Sequence, residues 1–259
     1  MKIQKEEFKG NFFKECPCSP EAVSCGYYNI NLHTGCPYSC SYCILQTYLE
    51  TKDPVFFTNY EKAVSELNEA QKHLKYLRVS TGELSDSLAY DRETNFSDQI
   101  FSVMKKFPDI VFEFKTKSAN VDNLLKRAPK KNIVVSWSLN PEQIIKREEP
   151  GTASLKERLI AMERVQDHGY KISIHFDPLI LAEGWKGLYR ELIEKIGGIV
   201  KSESIAWWSL GALRFPESLK HHIFKHKNSR LFYGELIKGY DNKYRYFKPL
   251  RRELFRFVR

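Results

Sequence analysis

Long apolar runs are missing from this 259-residue chain. No stretch approaches the roughly 18 apolar residues that a membrane-spanning helix needs, so no membrane segment is expected. Repeats and low-complexity tracts are absent too, which excludes solenoids and disordered scaffolds. No secretory leader pattern precedes the cysteines. All six are therefore expected in a reducing cytoplasm, as ligands or reactants rather than as disulfides. Net charge is also lacking over most of the chain. The first 213 residues hold 28 Lys/Arg and 28 Asp/Glu, so the whole formal charge of +9 falls in the last 46.

What is present is concentrated in one run, Gly35-Cys36-Pro37-Tyr38-Ser39-Cys40-Ser41-Tyr42-Cys43. Three thiols spaced Cys-x3-Cys-x2-Cys suit an iron–sulfur cluster with one iron left without a protein ligand. A zinc site would normally close with four ligands in paired spacings. A disulfide framework belongs to small secreted domains. Cys36, Cys40 and Cys43 are thus the candidate metal ligands.

Around that run, strand and helix signals alternate. Strands are expected at Tyr27–His33, Tyr76–Ser80, Ile110–Lys115, Asn132–Leu139, Tyr170–Phe176 and Ser204–Leu210. Helices are expected at about Tyr42–Leu49, Glu61–Leu74, Ser97–Lys106, Ala119–Arg127 and Trp185–Ile196, with another capped by Thr152 and ending at His168. Six β/α units with short connections imply a parallel sheet covered by helices, either doubly wound or a partial barrel. In both, chemistry sits at the C-terminal ends of the strands. Polar clusters occupy those ends: Thr81 to Asp86, Lys115 to Ser118, Ser136 with Ser138, and His175 with Asp177. Phe8 to Gly26, punctuated by Cys, Pro and Gly, reads as irregular.

The last 46 residues, Arg214 to Arg259, contain 13 Lys/Arg, 4 Asp/Glu and 10 Phe/Tyr. Cations interleaved with aromatics, as in Tyr244-Arg245-Tyr246, fit a polyanion-binding extension better than a merely solvated basic helix.

The cysteine run after a first strand, followed by repeated β/α units, resembles the radical S-adenosylmethionine (SAM) superfamily. Further runs resemble the spore photoproduct lyase group within it: Cys43-Ile44-Leu45-Gln46-Thr47, Phe114 to Val121, Ser136 to Pro141, His175-Phe176-Asp177-Pro178 and Lys243 to Arg251. The resemblance implies a partial (β/α)6 TIM-like barrel over residues 27–213. It adds an irregular N-terminal cap at 1–26 and a basic C-terminal extension at 214–259. It implies a 4Fe–4S cluster on Cys36, Cys40 and Cys43, with SAM as second cofactor. The reduced cluster of such enzymes cleaves SAM to a radical that takes hydrogen from the substrate. Tyr42, Glu83, Ser85, Lys117 and Ser138 are the implied SAM contacts. Lys243, Arg245, Tyr246, Lys248, Arg251 and Arg252 fall on a nucleic-acid-contacting segment. A nucleic-acid partner, DNA above RNA, is implied, as is an external electron donor such as flavodoxin or ferredoxin. A cytoplasmic monomer without a membrane partner is expected.

Two departures narrow the expectation. Lyases of this group place a hydrogen-donating cysteine before a Ser-Asp pair. Here Ser85-Asp86 is kept, but Glu83 holds the thiol's place and resembles the SAM-binding acid of other radical SAM enzymes. Ile44 stands where a tyrosine is expected. Cys16, Cys18 and Cys25 are open between buried thiols, a replacement hydrogen donor and a second metal site. Tyr42, Glu83, Cys16 and Cys18 are therefore the candidate catalytic residues. Radical chemistry on nucleic acid leads. Action on a peptide or small metabolite, and a non-enzymatic cluster protein, are the alternatives.

Overall fold

The six expected strands form, and they form one sheet. A computed structural model describes residues 2–17, 26–49, 53–232 and 234–259. The parallel strands are β1 (Tyr27–Ile30), β2 (Leu77–Ser80), β3 (Ile110–Thr116), β4 (Ile133–Ser138), β5 (Lys171–Leu179) and β6 (Ile205–Ala212). Each lies beside its predecessor in sequence, in the order β6-β5-β4-β3-β2-β1. A seventh strand, Phe13–Glu15, adds antiparallel to the outer edge of β1. Strictly sequential neighbours with right-handed crossovers put the connecting helices on one face. The twisted sheet curls into a half-barrel, and among the described residues no pairing joins its edges, β6 and Phe13–Glu15.

Burial explains the strand sequences. Every residue of β4, Ile-Val-Val-Ser-Trp-Ser, is buried. Central strands covered on both faces read as continuous apolar, β-branched runs. The outer core face is filled by Ile133, Val135 and Trp137, with Phe112 and Phe114 of β3 and Ile172 and Ile174 of β5 beside them.

Local details depart from expectation for identifiable reasons. The helix at Tyr42–Leu49 is only a 3-10 turn, Ile44–Thr47. The Gln46 amide donates back to the Cys40 carbonyl at 2.8 Å, which curls the chain around the cysteines. The helix assigned a Thr152 cap begins at Leu155 instead, capped by Ser154 in a reciprocal capping box with Glu157. Thr152 is occupied elsewhere: its hydroxyl donates to the Glu149 carbonyl and accepts from Arg158. The N-terminal segment is less irregular than it reads. Besides Phe13–Glu15, the strand Gln4–Glu6 pairs parallel with Val55–Phe57 in a small sheet completed by His33–Thr34.

The basic C-terminal residues pack on the barrel. Strands Arg214–Pro216, Leu236–Lys238 and Lys243–Tyr246 make a second small sheet, and helices Glu217–Lys225 and Lys248–Val258 flank it. Leu254 is buried, Phe257 meets Trp185 edge-on at 5.2 Å, and Glu253 pairs with Lys186 at 2.6 Å.

The Ser154 cap satisfies a helix-end N–H that otherwise has no partner. Ser154→Ala is expected to lower stability by about 1 kcal/mol, read from urea denaturation.

Candidate active site

The cysteine loop leaves the C-terminal end of β1 through Gly35. This residue has φ +96° and bridges to Ser85 in the β2 loop, donating its N–H to the Leu84 carbonyl at 3.2 Å. A Cβ there would lie 2.5 Å from the Asp53 carbonyl oxygen, so neither the torsion nor the space tolerates a side chain. Beyond it, Cys40 is buried and Cys36 and Cys43 are half-buried, all as free thiols. Burial pushes all three thiols up, Cys36 to about 12, and Asp86 adds to the effect at Cys36. Lys117 works in the opposite direction at Cys40 and Cys43.

A buried charge network fixes the loop from behind. Arg158 and Glu149, both wholly buried, pair at 2.6 Å. Glu149 also accepts hydrogen bonds from the Tyr42 hydroxyl at 2.5 Å and the Asn140 amide at 3.0 Å. Arg158 donates to the carbonyls of Ser138 and Ala153 at 2.8 and 2.9 Å. Burial alone would raise the Glu149 carboxyl, but Arg158 and Lys117 outweigh it and hold it below its ordinary value. Lys117 is opposed by burial, yet Cys40 and Glu149 raise it. Its ammonium sits 5.7 Å from the centre of the Tyr42 ring. Glu148 does a second job. It accepts from the Ser41 hydroxyl at 2.6 Å while its own carbonyl takes the Ser41 N–H at 2.8 Å. The sequence signalled neither acid, because Glu148-Glu149 before Pro150 looks like a charged helix end.

Two adjoining cavities open at the strand ends. The smaller, about 310 Å³, is lined by all three cluster-loop cysteines together with Tyr42, Glu83, Ser85, Lys117 and Ser138. Every residue that the sequence offered as a SAM contact therefore faces one space. Glu83 accepts from the Asn31 amide at 2.8 Å. Asp86 stitches the β2 loop to β3, accepting from Thr116 and the Lys117 N–H at 2.6 Å each.

The larger cavity, about 460 Å³, lies alongside and shares Lys115, Asp177, Ala212 and Arg214 with the first. Its wall combines cations (Arg78, Lys115, Arg214, Arg245, Arg251) with Tyr27, Trp207, Trp208 and Phe255. Arg78 lies between two rings, 4.6 Å from Tyr27 and 4.9 Å from Trp207. Sequence reading passed over Arg78 and both tryptophans. Only the curl of the sheet brings β6 across to β1 and β2. His175 also lines this cavity, and its Nε2 meets the buried Glu113, which accepts from Ser136 as well. Burial raises Glu113, but His175 outweighs it and the carboxyl stays below its ordinary value.

The nucleic-acid candidates separate. Arg245 and Arg251 line the larger cavity, with Arg245 paired to Asp241 and Arg251 donating to the Tyr246 carbonyl. Lys248 and Arg252 are exposed on the C-terminal helix, and Lys243 is half-buried in its strand. Tyr246 is buried, its hydroxyl accepting the Leu181 N–H at 3.0 Å, so its ring packs the extension onto the barrel. Cys16 lines the larger cavity. Cys18 and Cys25 lie outside the described residues.

The donor set fits a cluster. Three thiols line one space beside the half-buried Lys117, and none is spent in a disulfide. Among the described residues no three His, Cys, Asp or Glu side chains converge as ligands of a single ion would. An iron–sulfur cube takes one thiolate per iron, so its ligands surround a body rather than a point.

The spore photoproduct lyase family model matches residues 19–235. The chain belongs to that family. Relatives include spore photoproduct lyases of Bacillus subtilis, 30% identical over 65% of this chain and 50% of that protein. The Clostridium acetobutylicum enzyme is 27% identical over 80% of this chain and 61% of its own length. The chain thus spans about half the length of the curated relatives it matches. A spore photoproduct lyase double mutant with bound AdoMet and dinucleoside spore photoproduct superposes with a TM-score of 0.83. It is 25% identical, covering 99% of this chain and 77% of that one. Streptococcus suis SuiB bound to precursor peptide SuiA shares the fold at a TM-score of 0.52 and 15% identity. The half-barrel and its terminal strands are those of spore photoproduct lyases.

Removing Arg158 while Glu149 stays would leave a buried charge unpaired. Arg158→Met is expected to cost about 3–5 kcal/mol in chemical denaturation. Glu149→Gln in the Arg158→Met background should recover part of that loss.

Proposed function

We propose that this chain is a radical SAM enzyme acting on nucleic acid, with lesion reversal or base modification in DNA as its reaction. One observation carries the reading. The three free thiols and all five implied SAM contacts line a single cavity, and this opens beside a second, cationic and aromatic one. A bound 4Fe–4S cluster would supply the electron that cleaves SAM to a 5′-deoxyadenosyl radical, which takes hydrogen from the substrate.

The chain's own residues would do the rest. Cys36, Cys40 and Cys43 would hold three irons, leaving the fourth to SAM. Lys117 would attract the SAM carboxylate and Glu83 its ammonium, while Ser85 and Ser138 offer hydroxyls. Tyr42, fixed by Glu149, would wall the site beside the last cysteine. In the larger cavity, Arg214, Arg245 and Arg251 suit phosphates, and the exposed Trp208 suits the face of a base, while Arg78 is stacked with Tyr27 and Trp207. Glu83 has no hydrogen atom to return to a carbon radical. Cys16, on the wall of the larger cavity, is the candidate donor among the described residues, which distinguishes this chain from lyases with a thiol after β2.

Anaerobic reconstitution is expected to give about four irons per chain, as a cubane cluster requires. Alanine at Cys36, Cys40 or Cys43 should abolish both the iron and the formation of 5′-deoxyadenosine. Unchanged SAM cleavage in those variants would refute the reading. Binding of a short DNA should weaken with salt. Arg245→Gln with Arg251→Gln should lower the slope of log K against log salt by up to roughly 2 if both touch phosphates. A slope unmoved by the pair would exclude them from the interface.

A further inference from the structure

The cysteine loop has an outer side as well as a cavity side, and the outer side is covered by part of the basic extension. Helix Glu217–Lys225 and the turn after it are fastened there by two ties. His226 Nε2 meets the Gln46 side-chain oxygen at 3.0 Å, and the same Gln46 amide donates to the Cys40 carbonyl at 2.8 Å. The Ser229 hydroxyl and the Arg230 N–H donate to Glu148 at 2.7 and 3.0 Å, and Glu148 also holds Ser41. The segment is thus joined through single side chains to the backbone between the cluster cysteines.

Its composition is one-sided. Ser218 to Phe232 contains four Lys/Arg and three of the seven histidines, and no Asp or Glu. Lys225 and Lys227 are exposed and form no ion pair among the described residues. Two large aromatics stand out of the same region. Phe224 is 64% exposed, stacked on Phe232 at 4.5 Å, and Tyr48, which follows the 3-10 turn, is 66% exposed. No residue from Phe215 to Phe232 lines either cavity. This separates the patch from Arg245 and Arg251, which face the space a substrate would enter.

We propose that this face, centred on Phe224, Lys225 and Lys227, docks an acidic flavin-bearing electron-transfer protein that reduces the cluster. The inference rests on the cluster reading given above. That chemistry consumes one electron per SAM cleaved, which must come from outside the chain. Carboxylates of the partner would meet Lys225 and Lys227, and the apolar edge of its flavin would meet Phe224 and Tyr48. One electron leaves the reduced flavin, which is oxidised by one electron, and enters the cluster. No bond or proton moves with it. Gln46 and Glu148 are positioning residues that keep the docking face in register with the cysteine loop.

The test uses the reconstituted chain, a reduced flavodoxin as the probe, and the variant Lys225→Glu/Lys227→Glu. Direct binding of flavodoxin at low salt is expected to weaken at least about tenfold, as reversal of close charge pairs does. Flavodoxin-driven 5′-deoxyadenosine formation should fall in step, while the dithionite-driven rate stays unchanged. Lys105→Glu/Lys106→Glu makes the same charge change at the opposite end of the sheet and should alter flavodoxin binding less than twofold. Flavodoxin binding unaltered in the Lys225/Lys227 variant would overturn the proposal. So would a loss of short-DNA affinity in that variant with flavodoxin binding intact, which would make the patch a nucleic-acid surface. If dithionite fails to drive cleavage in the unsubstituted protein, the cluster reading fails instead, independently of the docking measurement.

Discussion

The ion pair between Arg158 and Glu149 sets the geometry on which the candidate site depends. Neither charge reaches solvent, so each must be satisfied by the other and by fixed hydrogen bonds. Its partners come from four places: Tyr42 on the cysteine loop, Ser138 at the end of β4, Asn140 just beyond it, and the Thr152–Ala153 turn. A buried pair of this kind is a poor source of net stability, because desolvation offsets most of the attraction. Its effect here is positional. A loop with no regular structure is tied through Tyr42 to the strand ends, and Lys117 feels the charges of both the pair and the thiols.

Much of this was legible in the sequence because parallel strands announce themselves. The β-branched run at Ile133–Val135 and the repeated alternation with helical segments located all six strands to within a few residues. The cysteine spacing and the polar strand ends identified the smaller cavity almost completely. What escaped depends on through-space proximity. Arg78 in the middle of a short strand looks like an ordinary surface residue until the curl of the sheet brings Trp207 against it. Tyr246 looked like a partner for bases because it stands between cations, and only packing reveals that its hydroxyl serves Leu181. Glu148 and Glu149 are adjacent in sequence yet serve two different sets of partners.

Glu83 illustrates how a carboxylate is seated in the β2 loop without disturbing the ties of that loop to its neighbours. The β2 loop keeps its bridge to Gly35 and its Asp86 stitches to β3. The carboxylate, tied to Asn31, therefore faces the same cavity as the cysteines. A charged acceptor at that place favours cationic groups and rules out hydrogen-atom donation from the same side chain.

The unjoined edges of the sheet have a topological consequence. A fully closed barrel admits only what can be swallowed whole through its mouth. Among the described residues no strand pairing joins β6 to the Phe13–Glu15 edge, and the larger cavity is lined by Cys16 beyond one edge and by β6 at the other. A sheet with unpaired edges, unlike a closed barrel, sets no such limit by its strand pairing, so the length of a ligand need not be bounded by the volume of the pocket.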